Sequence, residues 1–77
     1  MKKLTIEQAN ELQTQCLRDV MDNIQVKYRF GQALQNRLQN EYPEIGYETN
    51  GTELDTFYLT GEQSIDILWN ELTETGE

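Results

Sequence analysis

Histidine, the side chain that most often moves protons near neutral pH, is absent from this 77-residue chain. The remaining candidates for chemistry are one cysteine, one serine, three lysines and fourteen carboxylates. Cys16 lies inside a run of helically spaced apolar residues and has no histidine to hold it as a thiolate, so it reads as a small core residue. A lone cysteine also forms no internal disulfide, and no Cys/His cluster is present to hold zinc or an iron–sulfur centre. Ser64 falls in the first turn of a helical stretch without an adjacent base. Glu53, Asp55 and Glu62 crowd one stretch of chain, yet their spacing is wrong for a calcium-binding loop, and neither a P-loop nor a G-x-G-x-x-G pattern occurs. The expectation is a protein that is not an enzyme and needs no metal or cofactor.

The distribution of charge is more informative than the reactive residues. Residues 1–37 hold all six basic side chains, Lys2, Lys3, Arg18, Lys27, Arg29 and Arg37, against four acids, a local charge of +2. Residues 38–77 hold ten acids and no base, so that half alone carries −10 and sets the net charge of −8. Such a block repels nucleic acid and draws basic partners toward it. A solubilising role would require the same composition, so the arrangement of these acids matters more than their number.

Arrangement depends on the elements, and the hydrophobic spacing predicts a mainly α, compact three-helix domain spanning residues 1–77. Thr5 and Gln8 form a capping-box pattern before Ile6, Ala9, Leu12, Cys16, Leu17, Val20, Met21 and Ile24, which fill one half of a helix over about 5–25. A second helix is expected from Arg29 to Tyr42, closed by Pro43, with Phe30, Ala33, Leu34 and Leu38 facing the core. Its back is uncharged: Gln32, Gln35 and Gln39, with Tyr28 and Asn36 beside them, line the opposite side. Gly31 weakens that helix and so marks a place where another segment packs close.

Residues 43–60 form a long ordered loop between helices 2 and 3, too long to be without structure. Either a short helix or a hairpin turning at Asn50-Gly51 fits it, and Leu54, Phe57 and Tyr58 are expected to tie it to the core. Thr60 and Gln63 repeat the capping-box pattern, and Ile65, Leu68, Trp69 and Leu72 give a third helix over about 61–73, with Thr75-Gly76-Glu77 fraying. Glu62 and Asp66 then stand one turn apart, about 6 Å along the axis, on the scale of successive phosphates of a nucleic-acid strand. Glu71 and Glu74 extend their side, and Ile67 reads as an exposed apolar centre among the acids.

The stretch Arg29-Phe30-Gly31-Gln32-Ala33-Leu34-Gln35-Asn36, followed by Gly51-Thr52-Glu53-Leu54-Asp55-Thr56-Phe57-Tyr58, resembles a group of short phage and bacterial proteins. These share an R-x-G-Q-A-L-x-N helix start and a later G-T-x-x-D-P-F-Y turn. Thr56 stands where that pattern has proline, which predicts a looser turn here. The resemblance covers residues 29–58 and implies a phage-associated setting without an assigned activity. Small acidic phage proteins of the anti-CRISPR and DNA-mimic kind block host machinery, a parallel drawn from size and charge alone.

Two functions follow as expectations. The first is a non-enzymatic inhibitor of a host defence or DNA-processing protein, docked on a basic, nucleic-acid-binding surface through Glu53, Asp55, Glu62, Asp66, Ile67, Glu71 and Glu74. The alternative is a protein–protein interaction module that uses the Gln/Tyr face of helix 2 to bind a partner or a second copy of itself. Neither involves direct binding of nucleic acid or a membrane. Met1-Lys2-Lys3 is followed by polar residues in place of the apolar run of a secretory leader, so the expected location is the cytoplasm, that of the host if the chain is phage-encoded.

Overall fold

A computed structural model describes residues 2–74, which fold into four α-helices: α1 (Ile6–Asp22), α2 (Phe30–Glu41), α3 (Pro43–Thr49) and α4 (Gly61–Asn70). The mainly helical class is as expected, but the helices number four and not three. The molecule measures 39 × 25 × 21 Å.

Both capping boxes form. The Thr5 hydroxyl accepts from the Gln8 backbone at 3.1 Å while the Gln8 side chain accepts from Thr5 N–H at 3.0 Å, and Thr60 with Gln63 repeats the exchange at 3.1 Å each way. Each box satisfies two backbone donors that a helix start otherwise leaves without partners. α1 stops at Asp22, earlier than its apolar spacing suggested. Asn23 caps it, its side chain donating to the Asp19 carbonyl at 2.8 Å, and a 3-10 turn over Ile24–Val26 follows. Lys27, in the left-handed conformation at φ 55°, then turns the chain toward α2.

α2 is the central element and packs against α1, α3 and α4. It buries Phe30, Ala33, Leu34 and Leu38, as the spacing predicts, and also Gly31 and Gln35. The inference about Gly31 holds: a Cβ there would lie 2.2 Å from the Thr56 carbonyl oxygen. On the other side of α2, a Cβ on Gly46 would lie 2.7 Å from the Gln39 backbone, so α3 is pressed directly onto α2.

α3 decides between the two readings of residues 44–58. Pro43 fixes the backbone angle of a first helical residue and has no N–H to leave unsatisfied, so the residue that ends α2 also starts α3. Ile45 and Thr49, one turn apart, point into the core, and the helix leaves through Asn50-Gly51, with Gly51 left-handed at φ 76°. Asn50-Gly51 is therefore a helix exit and not the tip of a hairpin, and no strand occurs among the described residues.

The loop of residues 50–60 is held by polar anchors more than by the aromatic residues expected to tie it down. Leu54 packs on the core, but Tyr58 is 83% exposed, in edge contact with Phe57. The firm attachment is Thr56, fully buried, whose hydroxyl donates to the Gly31 carbonyl at 2.8 Å and whose N–H reaches Gln35 Oε1 at 3.4 Å. A proline here would lack both groups, so the departure at Thr56 fastens this turn where a looser one was expected.

α4 ends at Asn70, three residues before its expected limit. Leu72 and Thr73 turn inward: Leu4 N–H donates to the Leu72 carbonyl at 2.7 Å, Glu74 N–H to the Leu4 carbonyl at 2.8 Å, and Leu4 and Thr73 form a parallel bridge. The Thr73 hydroxyl closes the helix end on the Leu68 carbonyl at 2.7 Å. Leu4, Leu12, Leu34, Leu38, Leu68 and Leu72 form the centre of one continuous core. The fraying expected of Thr75-Gly76-Glu77 lies outside the described residues.

Candidate interaction surface

The capping box sets the rotation of α4. With Ser64 and Leu68 buried beneath it, Glu62, Gln63, Asp66 and Asn70 face outward. Glu62 also sits in the first turn, where the positive end of the helix dipole favours a carboxylate. Glu62 and Asp66 thus stand one turn apart on one exposed face, as their spacing predicted.

The other proposed contacts are placed differently. Because the helix ends at Asn70, Glu71 and Glu74 do not continue the row; both are exposed, Glu71 in the cap and Glu74 in the segment bonded to Leu4. Glu53 is exposed in the loop that leads into α4. Asp55 is partly buried and its carboxylate is engaged, accepting from Gly51 N–H at 2.9 Å and Phe57 N–H at 3.0 Å, so it organises the loop. Ile67 is not an exposed centre: it is half-buried and packs against the core cluster. The wheel placed it outside because helical spacing alone does not show how far around α4 the core reaches.

The uncharged face of α2 is corrected more fully. Gln35 is 1% exposed, its amide donating to the Gly46 carbonyl and to Thr49 Oγ1, both at 3.1 Å. Gln32 and Gln39 are half-buried, and Tyr28 accepts a hydrogen bond from Asn36 at 2.8 Å. At Gln35 the face is covered by this protein's own α3 and loop, while Gln32, Asn36, Gln39 and Tyr28 stay half-buried.

Arg37 could have neutralised the acidic half, but it is committed elsewhere. Its guanidinium grips Asp19 of α1 in a two-pronged contact at 2.6 and 2.9 Å and reaches Glu41 at 2.8 Å. Glu53, Glu62, Asp66, Glu71 and Glu74 belong to neither pair. The Arg37 hydrogen bonds hold the Asp19 carboxyl below its ordinary pKa of 3.8. A folded-state pKa below the unfolded one means stability that is present above about pH 3.8 and lost as pH falls through the lower, folded value. Arg37→Met is therefore expected to cost about 1 kcal/mol at neutral pH, since the pair is partly exposed, and to unfold with a flatter acid limb than the parent in denaturant melts between pH 7 and about 3. Equal acid sensitivity in the two chains would refute this.

The reactive residues are committed to structure. Cys16 is fully buried, and burial with the nearby Asp19 charge pushes its thiol up to about 12. The Ser64 hydroxyl donates to the Thr60 carbonyl at 2.6 Å beneath Gly31. Among the described residues no group of three His, Cys, Asp or Glu side chains converges as a metal site, and no helix is long and apolar enough to cross a membrane. An open cleft of about 340 Å³ separates Lys2, Leu4 and Gln8 from Tyr42 and Ile45.

Sequence reasoning overlooked the outer side of α1. Leu17, Met21 and Ile24, assigned to the core by their spacing, are largely solvent-exposed, as is Val26 in the following turn. Comparison of the chain with protein-family models, with curated proteins and with solved structures finds no match, and so adds no support to the resemblance over residues 29–58.

Proposed function

We propose that this protein acts by binding and not by catalysis, and that its acidic half occupies a basic, phosphate-binding surface on a partner protein, as an inhibitor would. The observation that carries the reading is the paired display of Glu62 and Asp66 on the open face of α4, outside the ion pairs of Arg37. Carboxylates left exposed and unneutralised act at a distance, raising the encounter rate with a basic surface and repelling nucleic acid from the same place. Glu53 on the approach to α4, with Glu71 and Glu74 beyond its end, extends the negative field. Asp55 contributes charge while holding the loop, and Ile67 is assigned to packing. A partner that normally binds host nucleic acid, such as a defence or DNA-processing protein, matches this chemistry.

The test is affinity capture from a bacterial lysate at about 50 and about 200 mM salt, with captured proteins identified by mass and assayed for DNA binding. Nucleic-acid-binding proteins are expected at the lower salt, with binding reduced at the higher. Reversal of Glu62, Asp66 and Glu71 together to lysine should weaken capture by about a hundredfold or more while leaving the helical circular-dichroism spectrum unchanged. Undiminished capture by the triple variant, or capture indifferent to salt, would exclude the acidic face as the contact.

A further inference from the structure

The most anomalous surface of the molecule is apolar and lies outside the acidic half. Leu17, Met21, Ile24 and Val26 are 49%, 68%, 63% and 74% exposed. Scattered apolar residues are ordinary on a surface, but a chain with a small core that leaves four together at one end of one helix is not making use of them itself. Leu17 and Met21 are one turn apart on α1, and Ile24 follows in the 3-10 turn just beyond the end of the helix.

We infer that this stripe is the contact between two copies of the chain, packed α1 against α1 about a two-fold axis. The argument is self-complementarity. In an antiparallel pair with the axis at the level of residue 20, Leu17 of one protomer lies level with residue 23 of its partner, between the partner's Met21 and the partner's Ile24. This is the knob-and-hole relation that packs helices. The same register sets Arg18 level with the partner's Asp22 and Asp22 level with the partner's Arg18, two equivalent opposite-charge pairs flanking the apolar line. The residues at both positions are exposed.

A second observation points the same way. The last turn of α1 contains Asp22 and no basic residue, so a carboxylate sits at the negative end of the helix dipole without compensation in its own turn. The partner's Arg18 supplies that missing positive charge. The location fits as well, since residues 1–37 carry +2 and residues 38–77 carry −10. Of the two halves of the chain, the first is the one whose net charge opposes a second copy least. An isologous interface of this kind closes on itself and gives a dimer, not a filament.

Sedimentation equilibrium from about 1 µM to about 1 mM, at about 0.15 M salt to shorten the reach of the net charge, reads the result directly. The parent chain is expected to shift with concentration from its 9.0 kDa mass toward twice that value. Met21→Asp and, separately, Ile24→Lys should each weaken association by about a hundredfold, because each buries an unpaired charge in the contact. Both side chains are exposed, and an unchanged helical spectrum will establish that the fold is intact. Arg18→Glu should weaken association by about tenfold, and adding Asp22→Arg should restore it, as reciprocal pairing between these two positions predicts, with the helical spectrum of each variant separating this from their i,i+4 relation within one helix. A single-chain mass at every concentration, a dimer indifferent to Met21→Asp and Ile24→Lys, or failure of the double charge swap to rescue would each overturn the proposal.

Discussion

Gly31→Ala is expected to lower the melting temperature by roughly 8–16 °C, although alanine is the better helix former by about 1 kcal/mol. Gly31 is the second residue of α2, and the chain of residues 56–59 passes directly over it. The added methyl carbon would stand 2.2 Å from the Thr56 carbonyl oxygen, 2.6 Å from Ser64 Oγ and 2.9 Å from the Leu59 carbonyl oxygen. Two of these atoms are backbone, so no rotamer change removes the clash. Thr56 cannot retreat freely either, because its hydroxyl is bonded to the Gly31 carbonyl itself. Relief requires the loop to lift and break that contact, a penalty of about 3 kcal/mol that outweighs the gain in propensity and leaves a net loss of about 2. In a 77-residue chain whose whole stability is of the order of 4–12 kcal/mol, that is a large fraction. Gly61→Ala is the internal comparison: it also opens a helix, but its nearest new neighbour is Phe30 Cβ at an ordinary 3.6 Å, so thermal melting should show little change or a slight gain. If Gly31→Ala melts at or above the parent temperature, the close approach assigned to this position is wrong.

Gly31 was legible as a packing point because a glycine in a helix start works against the helix unless something gains from its lack of a side chain. Thr5 with Gln8 and Thr60 with Gln63 were legible for a similar reason: a cap is chemistry between neighbours and needs no knowledge of the fold. What depends on distant neighbours was read less well. The spacing of α1 shows a broad apolar half, but only Ala9, Leu12 and Cys16 of the helix are fully buried, because α2 and α4 together cover a narrower stripe than the sequence offers. The exposed remainder, Leu17, Met21 and Ile24, looks identical to the core in a sequence. α3 was half legible, since Pro43 announces the end of one helix without announcing another, and seven residues contribute only Ile45, Gly46 and Thr49 to the inside, too few to show a period. With the choice between short helix and hairpin open, the packing of this segment on α2 could not be read, and Gln35 was placed outside because α3 and the following loop cover it. For the candidate surface, Glu62 and Asp66 followed from their one-turn spacing. Ile67, Glu71 and Glu74 did not, because their positions depend on where α4 stops and which flank of it is covered.

The misplaced residue Gln35 carries the second large effect: Gln35→Ala should destabilise the protein by about 3 kcal/mol, a residue that reads in the sequence as solvent-facing and would then cost almost nothing. Its side chain joins α2 to both α3 and the loop, donating to the Gly46 carbonyl and Thr49 Oγ1 and accepting from Thr56 N–H. The partners lose unequally when it is removed. The Gly46 carbonyl retains the hydrogen bond from Asn50 N–H at 3.2 Å, and the Thr49 hydroxyl keeps its bond to the Ile45 carbonyl at 2.9 Å. Thr56 N–H loses its acceptor while buried, a cost of about 1–3 kcal/mol to which the vacated volume adds. Gln35→Leu separates the two contributions, because it fills most of the volume and still leaves Thr56 N–H without an acceptor; it should recover about half of the loss. Gln35→Glu gives a readout that packing alone cannot imitate. A carboxylate there faces two acceptors, so its folded-state pKa is raised above the unfolded value near 4.3, and the variant should be most stable in acid and weaken as pH rises through that value. The parent chain, with Asp19 held below its ordinary pKa of 3.8, already has the contribution of Asp19 at higher pH and shows no such loss there. A fall in stability above about pH 4.3 in the variant but not in the parent, measured by denaturant unfolding between pH 3 and about 7, would establish that residue 35 is buried against α3; parallel profiles would return it to the solvent.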